Sequence, residues 1–158
     1  MAINAELRGR DALMRRLEKL APNVEKYAAT VKLEIAKEAA KRIADAAPKN
    51  TGEYAANIKA EPIANNPNKK QVGITQTKDP TAAGIYAPWF WHFLEFGTAP
   101  HNTAPGGGNK SYSGPVNLHP GTAARPHVFT TWRAMKKKAG RKIRAAVNKA
   151  VREAMGKK

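Results

Sequence analysis

The chain contains no cysteine. Disulfides, thiolate nucleophiles and cysteine-ligated zinc are therefore excluded. Acidic side chains are scarce: twelve Asp and Glu stand against 28 Lys and Arg, for a net charge of +16. A small metal-dependent nuclease needs an acidic cluster, and the few acids here are spread over helical surfaces. No run approaches the roughly 18 apolar residues that a membrane-spanning helix requires. The first ten residues, Met1 to Arg10, lack the apolar core and small-residue cleavage site of a secretory signal. These absences lead us to expect synthesis in a cytoplasm, no redox dependence and no membrane. Serine appears only as Ser111 and Ser113, without the Gly-x-Ser-x-Gly context of a nucleophile elbow.

What is present is globular. At 158 residues, with 42% hydrophobic and 25% charged residues, the chain fits one domain over residues 1–158. Its charge is uneven. Residues 1–47 hold ten basic and seven acidic groups, and residues 48–124 hold six and four. Residues 125–158 hold twelve and one. A field of that size favours a polyanion or an acidic protein surface as partner.

Apolar spacing supplies the elements. The N-terminal part, 1–47, reads as two helices. Leu7, Leu13, Leu17 and Leu20 recur at helical spacing over 5–20, and Pro22-Asn23 marks a break. Val24, Tyr27, Val31, Ile35, Ala39, Ile43 and Ala46 form one stripe over 24–46. Residues 54–78 alternate and predict a β-hairpin, pairing 56–64 with 70–77, with Pro62 at an edge.

Six of the eleven aromatic residues fall between Tyr86 and Phe96. This segment, 84–97, reads as a short helix, with Pro88 in its first turn and Gly97 at its end. Residues 98–124, rich in Gly and Pro, read as a long loop. Residues 127–155 predict a last helix with an apolar stripe of Phe129, Trp132, Met135, Ala139, Ile143, Ala146 and Ala150. The fold class expected is α+β: a small antiparallel sheet packed with N-terminal helices and a long basic C-terminal helix.

Candidate chemistry is sparse. His92, His101, His119 and His127 show no metal-ligand spacing. Gly106-Gly107-Gly108-Asn109-Lys110 lacks the strand, spacing and helix of a phosphate loop and reads as a connector. We expect no catalytic residues, cofactor or metal. Glu95, the one carboxylate in the aromatic segment, is expected to form a structural ion pair with Arg125. Trp89, Trp91, Phe93 and Phe96 offer more apolar area than so small a chain easily hides, which predicts a subunit interface. Lys136, Lys137, Lys138, Arg141, Lys142 and Arg144 are the candidate contacts to DNA or to an acidic partner.

Three motifs then line up. Ala46-Ala47-Pro48-Lys49-Asn50-Thr51-Gly52 with Ile58 is the first, and Tyr86-Ala87 followed by Leu94-Glu95-Phe96-Gly97-Thr98 is the second. Ala124-Arg125-Pro126-His127-Val128-Phe129 is the third. In this order they resemble the neck, or tail-completion, proteins of tailed bacteriophages, the group related to minor tail protein Z. Glu53-Tyr54 stands where that family often has a leucine. The resemblance implies a non-enzymatic virion protein at the head–tail junction. It would form a hexameric ring between head-closure or adaptor proteins and the tail terminator or tail tube. A contact with packaged DNA is open, and so is the alternative of a basic nucleic-acid-binding protein. An acidic protein neighbour is the favoured partner of the basic helix, because many phosphate contacts would oppose passage of DNA.

Overall fold

The computed structural model of the chain describes residues 10–73, 77, 81–103 and 118–155, apart from the side chains of 10–21, 23 and 154. Helix α1 runs from Arg10 to Ala46 as one element of 37 residues. The break expected at Pro22 does not occur, and Pro22 lies inside the helix. Proline removes one backbone N–H and crowds the preceding turn, but it leaves the ladder on either side intact. Leu7 of the first expected helix lies outside the described residues.

Two long helices make one layer. Helix α4, Val128–Ala154, runs antiparallel to α1. Their contact is lined by small residues: Ala36, Ala39 and Ala40 on α1, Ala139, Ala146 and Ala150 on α4, all buried. Small side chains at these positions let the two backbones approach closely. Glu38 of α1 bridges to α4, with its two carboxylate oxygens each 3.0 Å from an ammonium nitrogen, Lys138 on one side and Lys142 on the other. Lys149 sits over the Tyr27 ring at 5.8 Å, near the far end of α4. The anchors of α4 are Val128 and Met135, while Trp132, on the expected stripe, is partly exposed.

The sheet differs from the expected hairpin. A single helical turn, α2 (Glu53–Ala56), leads into β1 (Lys59–Pro62). Strand β1 pairs antiparallel with β2 (Ala83–Tyr86), in the register Lys59 with Tyr86 and Pro62 with Ala83. Among the described residues of 70–77 none pairs with it. Of that stretch Val72 donates to the Ile85 carbonyl at 2.7 Å, on the other side of β2, and residues 74–76 lie outside the described residues. Local alternation cannot reveal that a later segment, Ala83–Tyr86, has the better claim to β1. Pro62 ends an edge strand, where its missing N–H costs nothing.

The aromatic segment is accordingly split. Its first residues are β2, and only Trp91–Phe96 form helix α3. The long loop also carries structure. His101–Asn102 (β3) and Leu118–His119 (β4) pair antiparallel, and Thr98 bridges Thr122. Residues 104–117, with the Gly106–Gly108 run, lie outside the described residues. The core gathers Ala40, Ile43, Ala47, Tyr54, Ile58 and Val128, with Ile85, Phe90, Trp91 and Leu94 packed against it.

Candidate functional site

The base of the arm formed by β3 and β4 brings the second and third motifs together. Gly97 (φ 74°) and Gly121 (φ 87°) flank the Thr98–Thr122 bridge. A Cβ on Gly97 would lie 2.5 Å from the Thr122 carbonyl oxygen, and one on Gly121 would lie 2.3 Å from that of Thr98. Only glycine satisfies both the backbone angle and the approach. The Arg125 N–H donates to the Leu94 carbonyl at 2.8 Å, which delivers the chain to the start of α4.

Glu95, 3% exposed, meets that start. Its Oε2 accepts from the backbone N–H groups of His127 (2.7 Å) and Val128 (2.8 Å), and its Oε1 accepts from Phe129 (3.0 Å). A helix begins with N–H groups that have no partner within the helix, and a carboxylate there also complements the helix dipole. Arg125 is not its partner. The Arg125 side chain is exposed, and among the described residues Glu95 pairs only with His127, whose Nδ1 is 3.3 Å from Oε2. The carboxylate needed donors, and the backbone of α4 supplies three of them.

His127, 1% exposed, completes a buried relay. Its Nδ1 faces two acceptors, the Arg125 carbonyl at 2.7 Å and Glu95, so this nitrogen carries the proton. Its Nε2 lies 2.7 Å from the Tyr54 hydroxyl, to which it is hydrogen-bonded. Burial, and secondarily the Glu95 charge, push the Tyr54 hydroxyl up to about 12. Burial also pushes the Glu95 carboxyl up, but the three backbone N–H groups and His127 together outweigh it and hold it below its ordinary value. With both oxygens engaged, Glu95 is a helix cap tying together segments about thirty residues apart.

Around this joint the expected interface aromatics divide. Trp91 is partly buried, packing on the core and beside Phe129 at 6.3 Å. Trp89, Phe96 and Phe93 are 74%, 58% and 39% exposed. Trp89 and Phe93 touch edge to face, and Leu118 of β4 is exposed as well. A six-residue helix can direct only one side inward. Trp91, Leu94 and Glu95 take it, and Phe93 and Phe96 face out.

The six expected cationic contacts also divide. Lys138 and Lys142 are held by Glu38, whose carboxyl is lowered to about 2 chiefly by hydrogen bonds from these two lysines. Lys136, Lys137, Arg141 and Arg144 are exposed and take part in no ion pair among the described residues. Of the expected histidines, His101 and His119 stack across β3 and β4 at 5.0 Å. Among the described residues no three His, Asp or Glu side chains gather as a metal site, and no helix is long and apolar enough to cross a membrane.

No curated protein and no solved structure matches the chain significantly. A family model does match, over residues 11–97, from α1 through the Glu95 turn. That family is described as "Bacteriophage HK97-gp10, putative tail-component". The match covers more than half the chain and contains the first motif and the second up to Gly97, so the chain belongs to the HK97-gp10-like family of phage tail components.

Proposed function

We propose that this tail component is a non-enzymatic subunit of a hexameric ring at the head–tail junction. It would be made in the host cytoplasm and incorporated in the virion neck. Its neighbours would be head-closure or adaptor proteins on one side and the tail terminator or tail tube on the other. The supporting observation is the exposure of Trp89, Phe93 and Phe96, in and just before α3, and of Leu118 in β4. Exposed aromatic clusters on small proteins mark contact surfaces, and aromatic residues dominate interface energetics. A ring needs a head-to-tail interface that closes. An apolar patch on one edge and a protruding arm that docks on the next subunit would provide it. Particle reconstruction by electron microscopy tests this reading. It should place six copies between head and tail, with Trp89 and Phe96 covered by an adjacent copy. Copies found elsewhere, or these rings in solvent, would overturn it.

A further inference from the structure

Helix α4 buries one face and presents the opposite one. Along that outer face Arg133, Lys137, Arg141, Arg144, Asn148 and Arg152 follow at intervals of three or four residues, all exposed. The buried residues Met135, Ala139, Ala146 and Ala150 occupy the other side. No acidic side chain interrupts the row. The one acid of α4, Glu153, lies on the buried side, beside Lys149 at 3.9 Å and in contact with Tyr27. The two lysines paired with Glu38, Lys138 and Lys142, also lie off the row. Among the described residues none of the five cations of the row is engaged in an ion pair. The row is therefore a straight line of five unneutralised cations, about 28 Å long at the rise of an α-helix.

We infer that this row binds the phosphate backbone of duplex DNA without reading its sequence. Three features select this partner. Four of the five cations are arginine, whose planar fork meets a phosphate with two hydrogen bonds. The row holds no aromatic residue, so it offers neither the anchors of a protein interface nor the stacking platforms that hold single strands. Its charge is uniform and linear, as the duplex backbone is, whereas docking to a protein would require a matching row of carboxylates. This reverses the acidic protein neighbour expected from the sequence: contacts to phosphates alone allow sliding, so the row can hold DNA and still let it pass. The inference goes beyond the ring and is independent of it, because it concerns the free chain.

Fluorescence anisotropy of the full chain, with a labelled random duplex longer than the row, tests it. Five phosphate contacts predict a slope of log affinity against log salt near −4.5, or roughly 500-fold weaker binding at 200 than at 50 mM salt. Arg141→Gln with Arg144→Gln should reduce the slope by about 1.8 without shifting the melting temperature. The off-row pair Lys138→Gln with Lys142→Gln should leave the slope unchanged. Equal losses from both pairs would show that only net charge acts and would overturn the assignment, as would no duplex binding at low salt. Single strands binding as tightly as the duplex would overturn it, and so would poly-glutamate displacing DNA at equal charge.

Discussion

At Glu95 one side chain decides how α4 begins. Its two oxygens accept three backbone N–H groups, and glutamine cannot replace both. In Glu95→Gln one amide NH2 must face a donor. The expected cost is about 2 kcal/mol, read as a lower urea midpoint. The pH dependence has a definite sign. The folded pKa of Glu95 is depressed, so its contribution is complete above the unfolded carboxyl value and is lost as pH falls through the lower folded value. The chain should lose stability below about pH 4, and Glu95→Gln should lose less over the same interval. An equal loss in both proteins would show that other carboxylates, Glu38 among them, carry the acid sensitivity. The sequence pointed to Glu95 as a structural acid because it stands alone among aromatics. It named the wrong partner, because backbone donors carry no residue identity and a nearby arginine does.

At the scale of elements, two glycines let the arm leave the body. Gly97 combines a positive φ with a Cβ position blocked by the Thr122 carbonyl, whereas Gly52 has a similar φ of 82° with open space around it. Gly52→Ala should cost about 1 kcal/mol, the ordinary penalty of a left-handed side chain. Gly97→Ala should cost clearly more and should separate Thr98 from Thr122. Thermal melts and amide exchange at Thr98 and Thr122 check both outcomes, and equal destabilisation by the two variants would refute the steric argument. The long helices were legible because a period of 3.6 repeated over many turns is a strong signal. The pairing of β1 was not, because a four-residue strand gives little periodicity and its partner lies some twenty residues further on.

At the scale of the whole molecule, the aromatic rings have different roles although they are neighbours in sequence. Trp91 packs on the core, and Trp89 does not. Trp91→Ala should therefore lower stability by about 3 kcal/mol, as removal of large core aromatics does, and this makes it a poor probe of assembly. Trp89→Ala with Phe96→Ala should keep the native circular dichroism spectrum but sediment as a smaller species. If that variant retained the native oligomeric state, the patch would not be the subunit contact.

Local sequence is enough for the α+β class, the helical character of 24–46 and of the basic C-terminal segment, and the motifs that mark the family, although not for the continuity of α1 through Pro22. All of these rest on local periodicity, composition or short patterns, which neighbouring residues encode without help. Long-range packing sets which segment pairs with β1, what Glu95 caps, which aromatic rings stay outside and which cations remain without an ion pair. Each of these depends on residues far apart in the chain arriving at the same place. Lys138 and Arg141 look alike in the sequence, but they differ in the fold because Glu38, a hundred residues away, reaches one and not the other.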